Sequence, residues 1–318
     1  MATPLTFSPS KITYSSSENA LIDSTGLVDP NVAMPYSDVD ISHFDEIVIH
    51  DEWGEVSFFA LLKELYARFE EANISYSQDA PKDSVKTKVL EVGSSAAYDA
   101  YHAKREILNP LLPDNLKNSA NHIDLHPSND RDMRFQVNKN TVVRAEELFL
   151  ASLQKVCPGF NRAKFKWREK FYDLHDNVTV LSIKDKKDNQ YDFYIYETCK
   201  RTFFASRDAV QLDVTSYIES KSPAKIITYD YHPLQPYIDR ITRTLRIPSP
   251  EKINHQGFLL QLYYVMKGYT NPDPNAESIL KETLLKYLHN HNLNDLISKF
   301  MGNHPIDNGF AFIFSVKS

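Results

Sequence analysis

Glycine is scarce in this chain, with 8 in 318 residues. A sequence this poor in glycine is neither a flexible glycine-rich linker nor a collagen-like repeat. A glycine that follows an apolar run therefore marks a place where the backbone has a task. Cysteine is scarcer: the 2 that occur, Cys157 and Cys199, exclude a disulfide framework and lack metal-ligand spacing, as in a reducing compartment. No run approaches the roughly 18 consecutive apolar residues that a membrane-spanning helix needs. Residues 1–18 are rich in Ser, Thr and Pro and lack a charged region followed by an apolar one, so no Sec signal peptide is expected. A cytoplasmic protein is the expectation, with export by a route that needs no such signal left open. Nor is there an excess of positive charge: a net charge of −6 and a pI near 6.0 exclude a chain that is basic over its whole surface. The 11 histidines show no HExxH spacing.

What is present is a chain able to build a core, 42% hydrophobic and 12% aromatic, with a length that suggests about two domains. Residues 1–40 read as a flexible leader. A strand is expected at 45–50, and an amphipathic helix at 56–72 with Phe58, Leu61, Leu62, Leu65 and Phe69 on one side. A second helix is expected at 142–156, with Val143, Leu148, Phe149 and Leu153 inward. Strands at 177–183 and 191–196 flank a turn-forming run, and further strands are expected at 202–205, 210–217 and 225–229. Beyond residue 233 the pattern becomes helical, at 234–245, 252–268, 276–289 and 293–301, with prolines between and an apolar tail at 310–314. The expected architecture is α+β: a mixed sheet with flanking helices over 41–230, then a helical domain over 231–318.

The residues that carry chemistry sit at the ends of apolar runs. Gly93 closes Val89-Leu90-Glu91-Val92 and opens a helix-like stretch. A Gly-Ser turn there lets the backbone N–H groups and hydroxyls of Gly93, Ser94 and Ser95 approach a phosphate group closely. Asp130 and Asp132, one residue apart before an alternating run, project to one side of a strand. Asp213, between Leu212 and Val214, offers a third carboxylate, and Asp192 and Glu197 lie in comparable runs. Such a set suits paired divalent cations, Mg²⁺ or Mn²⁺, that lower the pKa of an attacking hydroxyl and neutralise a leaving pyrophosphate. Lys200 and Arg207 are candidates for holding the triphosphate. The same aspartates also suit turn chemistry, as in Ser128-Asn129-Asp130, and a second Asp-x-Asp occurs at Asp38 and Asp40. Lys164, Lys166, Arg168 and Lys170 alternate with Phe165, Trp167 and Glu169, a pattern that fits either a phosphate-binding face or a lysine-guarded edge strand.

At Gly93-Ser94, Asp130-x-Asp132 and Asp213 the chain resembles the DNA polymerase β-like nucleotidyltransferase superfamily, and residues 209–217 are similar to the third-carboxylate strand of its CCA-adding and poly(A) polymerase branch. The resemblance spans roughly residues 85–220. It implies a metal-dependent transfer of a nucleoside monophosphate from a nucleoside triphosphate, ATP being the expected donor, to a hydroxyl on RNA or tRNA, a protein or a small molecule, with no membrane partner. It also implies that Asp130, Asp132 and Asp213 are the metal ligands. The gap between Gly93 and Asp130 requires an insertion around 107–120, and Arg131 stands where the superfamily carries an apolar residue. Two other classes share some of these features. Residues 89–96 also resemble the first motif of S-adenosylmethionine-dependent methyltransferases, and a non-catalytic interaction protein with a degenerate head is the third reading.

Overall fold

The computed structural model describes residues 21–22, 26–77, 86–123, 125–173, 177–197, 205–247, 264, 268–271, 278 and 282. Apart from isolated residues, the helices expected at 252–268, 276–289 and 293–301, the tail at 310–314 and the strand at 202–205 lie outside them.

In chain order the elements are β1 (Asp38–Val39), β2 (Val48–Asp51), β3 (Gly54–Ser57), α1 (Phe58–Ser77), β4 (Lys88–Val92), α2 (Gly93–Tyr101), α3 (Arg105–Leu108), α4 (Asp114–Lys117) and β5 (Asp130–Gln136). They continue with α5 (Lys139–Val143), α6 (Ala145–Val156), β6 (Glu169–Asp173), β7 (Val178–Lys184), β8 (Gln190–Tyr196), β9 (Gln211–Asp213), α7 (Thr215–Ser220), β10 (Ala224–Ile227) and α8 (Gln235–Thr242). The fold is α+β. Its centre is an 8-stranded mixed sheet in the order β1-β10-β9-β4-β5-β8-β7-β6, and β2 and β3 form a separate hairpin. Every pairing in the large sheet is antiparallel except that of β5 with β8.

Strand alternation divides the sheet into two faces. Val89, Met133, Phe135, Phe193, Ile195, Leu181 and Leu212 share a core with Leu61, Leu65 and Phe69 of α1, Phe149 and Leu153 of α6, and Ala96 and Ala100 of α2. Edge-on aromatic pairs tie the helices to this face: Phe69 meets Phe135 with ring centroids 5.2 Å apart, and Phe149 meets Phe193 at 4.9 Å. Removing one such ring would cost about 3–5 kcal/mol. The opposite face carries Asp130, Asp132 and Asp192.

Local chemistry explains where elements differ from the sequence expectation. The helix expected from 56 starts at Phe58 because Gly54–Ser57 pairs with β2, and Ser57 Oγ then accepts the Ala60 N–H at 3.3 Å. The helix expected over 142–156 is two helices broken at Arg144, so Val143 turns outward and is 63% exposed. The strand expected over 210–217 ends at Asp213, whose carboxylate accepts the Thr215 N–H at 3.1 Å and starts α7 instead. The insertion between Gly93 and Asp130 is built from short helical turns, α3 and α4 among them. Residues 28–39, expected within a flexible leader, contribute buried Val28, Met34, Tyr36 and Val39, and β1 pairs with β10 at the sheet edge.

Candidate metal centre

On β5, Arg131, Met133 and Phe135 face the helices, which leaves Asp130, Asp132 and Arg134 on the other side. The parallel pairing with β8 then sets Asp192 beside Asp132 and Gln190 beside Asp130. Carboxylate oxygens of Asp130, Asp132 and Asp192 lie within 4.8 Å of one another, the one group of this kind among the described residues. Asp192 is buried and held in place: it accepts a short hydrogen bond from the Ser182 hydroxyl and one of 2.8 Å from Gln190 Nε2. Tyr194 hydrogen-bonds Asp132 from the next position along the same face of β8.

Among the described residues, only Arg134 and Arg168 act on these carboxylates with positive charge. Burial, then the charges of Asp130 and Asp192, push the Asp132 carboxyl up to about 8, and Arg134 and Tyr194 offset only part of this. Asp130 is pushed up to about 6 by desolvation and by Asp192, with Arg168 acting against the rise; it is an exposed residue at the mouth of the group, where solvent relaxes such a shift most readily. Asp192 is raised by burial despite its two hydrogen-bond donors. Three hard oxygen donors at this separation suit Mg²⁺ or Mn²⁺, and a bound cation would relieve the repulsion that raises them.

Gly93 is fitted to the same group. Its φ is +77°, a left-handed conformation, and a Cβ there would lie 2.7 Å from Asp132 Oδ2. The glycine therefore makes room first for the Asp132 carboxylate. It also begins α2 directly after Val92, the strand partner of Asp132, and no side chain caps the helix start. The first-turn N–H groups and positive dipole end of α2 thus lie beside the acidic group. Ser94 is exposed on that first turn, whereas Ser95 is buried, its hydroxyl donating to the Val92 carbonyl at 3.3 Å and bonding Glu91.

Beneath the sheet, on the helix side, Arg131 occupies a second ionic cluster. Its guanidinium makes a short ion pair with fully buried Glu91 and another with Asp99 of α2 at 3.1 Å, while His43 sits 3.0 Å from both Asp99 and Arg131 Nη2. Burial and Asp99 push Glu91 up to about 8 despite Arg131. Burial also works to raise Asp99, but the His43 hydrogen bond and the Arg131 charge outweigh it and hold that carboxyl below its ordinary range. The cluster joins β4, β5 and α2, the three elements that bring Gly93 to Asp132.

The remaining expected residues lie elsewhere. Asp213 is on the acidic face, but β4 runs between it and β5, and its carboxylate pairs with Lys88 at 3.3 Å. The third carboxylate beside Asp130 and Asp132 is Asp192, with Asp213 outside the group. Glu197 accepts a hydrogen bond from Asn177 at 2.7 Å. Asp38 pairs with Lys225 at the far edge of the sheet, and Asp40 accepts the Ser42 N–H at 2.9 Å. Lys200 lies outside the described residues. Arg207 is buried with its guanidinium 4.0 Å from the Tyr264 ring centroid and 4.5 Å from that of Tyr269, in a separate small core. The alternation at 164–170 is realised with Phe165 and Trp167 inward and Lys164, Lys166 and Arg168 exposed, leading into the edge strand β6.

No family model and no curated protein matches the chain. Among solved structures, the Thermotoga maritima CCA-adding enzyme complexed with tRNA is 11% identical, with a TM-score of 0.40 and 80% of this chain and 50% of that chain covered. The chain spans half the length of that structure. The site geometry stands apart from a likeness this distant. No helix among the described residues is long and apolar enough to cross a membrane.

Proposed function

We propose that the chain is a metal-dependent nucleotidyltransferase that moves a nucleoside monophosphate from a nucleoside triphosphate, ATP in the first instance, to a hydroxyl acceptor. The observation that carries this reading is the meeting of Asp130, Asp132 and Asp192 beside the uncapped start of α2 at Gly93. Asp130, Asp132 and Asp192 would hold Mg²⁺ or Mn²⁺. Bound there, a divalent ion supplies charge neutralisation at a leaving pyrophosphate and a lowered pKa for the attacking hydroxyl. The chain's own residues do the rest. Asp192 is oriented by Ser182 and Gln190, and the N–H groups and exposed Ser94 hydroxyl at the start of α2 offer donors to phosphate oxygens. RNA or tRNA, a protein or a small molecule would each serve as acceptor at such a site; exposed Lys164, Lys166 and Arg168 favour one that carries phosphate.

The methyltransferase reading needs a parallel strand-helix-strand unit after the first glycine turn, whereas β5, the next strand of the sheet, is antiparallel to β4. The test is incubation with labelled nucleoside triphosphates, Mn²⁺ or Mg²⁺ and a cell extract. Label should pass to an acceptor with wild-type protein and not with Asp132→Asn or Asp192→Asn. Thermal stabilisation by S-adenosylmethionine, or by neither that cofactor nor ATP with Mg²⁺, would replace the proposal with one of the other two readings.

A further inference from the structure

Arg134 stands out on the acidic face because, among the described residues, no carboxylate answers its charge by direct contact. It is half-buried, two positions beyond Asp132 on the same side of β5, and its Nε is buried without a hydrogen-bond partner. Among the described residues it makes no ion pair; its one defined neighbour is the ring of Tyr194, its register partner on β8, with the guanidinium carbon 5.9 Å from the ring centroid. Arg131, its neighbour but two, shows what the same side chain does when the fold itself uses it: two carboxylates and a histidine close around it. A half-buried guanidinium beside an aromatic ring, with no ion pair among the described residues, has the chemistry to receive an anion through its accessible terminal N–H groups. A planar fork of N–H groups matches phosphate oxygens in particular.

We propose that Arg134, backed by Tyr194, is a phosphate-binding residue that takes the polyphosphate chain of a nucleoside triphosphate whose other phosphate oxygens reach the metal held by Asp130, Asp132 and Asp192. The proposal rests on the metal-site reading above and adds the protein's own anion contact to it. Tyr194 serves both halves, since its hydroxyl bonds Asp132 while its ring supports the guanidinium. In this arrangement the role expected of Lys200 and Arg207 falls to a residue inside the motif strand.

Calorimetric titration with Mn²⁺, with inorganic tripolyphosphate in the absence and presence of Mn²⁺, with ATP and with adenosine separates the two claims. Arg134→Met should weaken tripolyphosphate and ATP about tenfold to a hundredfold while binding Mn²⁺ at least as tightly as wild type. Arg134→Lys, which keeps the charge but loses the fork, should recover part of that loss and guards against a folding defect in the first variant. Unchanged tripolyphosphate affinity in Arg134→Met, with tighter Mn²⁺ binding, would show that Arg134 only offsets the aspartates and would overturn the proposal. Wild-type protein that binds tripolyphosphate through Arg134 but takes up no Mn²⁺ would retain the anion site and remove the metal reading. Equal binding of adenosine and ATP would remove the phosphate contact.

Discussion

Two clusters of carboxylates lie back to back across β5, and they differ in what surrounds them. On the helix side, Glu91 and Asp99 are closed by Arg131 and His43. On the other side, Asp130, Asp132 and Asp192 approach within 4.8 Å, and among the described residues no basic side chain pairs with them. In the first the fold supplies Arg131 and His43, which hold Asp99 low although buried Glu91 still rises; in the second burial and mutual repulsion raise all three carboxyls, so that protons relieve the charge. Both clusters are made of carboxylates, and the basic partners present in one and not the other, among the described residues, are what separate them.

The largest expected effect sharpens the functional side of this comparison. Asp132→Asn or Asp192→Asn should reduce nucleotide transfer roughly a thousandfold and remove Mn²⁺ binding. The melting temperature should hold or rise, since a repulsive carboxylate is gone. A variant that transfers normally would break the assignment. On the structural side, Arg131→Met should cost about 3 kcal/mol by leaving buried carboxylates uncompensated, read as a lower denaturant midpoint. Glu91→Met combined with Arg131→Met should recover most of it. If the double variant is no better than the single one, the cluster does not act as a unit.

Smaller effects follow from pH. Asp132 and Glu91 are each pushed up to about 8 in the folded chain, against an ordinary carboxylate value near 4 when unfolded. Between those values the folded state holds protons that the unfolded state has released, so metal-free stability should fall as pH rises from about 4 to about 8. The fall should reach at least about 1 kcal/mol. Saturating Mn²⁺ should reduce that slope, and Asp132→Asn should remove its own share while leaving the part due to Glu91. Stability that rises across this window in metal-free buffer would contradict the burial of both groups. Asp213→Asn should do least: loss of the Lys88 pair costs below about 1 kcal/mol, and Mn²⁺ affinity stays at the wild-type value. Loss of Mn²⁺ binding in that variant would return Asp213 to the site in place of Asp192.

Asp130 and Asp132 were legible in the sequence because a spacing of two places residues on one side of a strand whatever it pairs with. Asp192 and Asp213 look alike at that level, each a carboxylate in an apolar run. What separates them is the parallel pairing of β5 with β8, in which Asp132 meets Asp192, and local periodicity carries no record of that neighbour. The helix-side cluster leaves its own trace in the sequence: Glu91 sits inside Val-Leu-Glu-Val, and Arg131 interrupts the aspartate pair. Two opposite charges in adjoining buried strands imply each other once the strands are paired. Gly93 was legible as a constrained position, but its crowding partner, Asp132, was not.

The parallel β5–β8 pair has a consequence for the order in which the protein comes into being. Its two strands are separated by residues 137–189, which include α5, α6, β6 and β7, so the site is assembled from distant parts of the chain. Pairings that close such long loops are slow steps in folding. During synthesis, Asp130 and Asp132 leave the ribosome well before Asp192 exists, and a cation meeting the nascent chain finds two carboxylates on an unpaired strand. The three-carboxylate group is therefore complete only once the sheet has assembled.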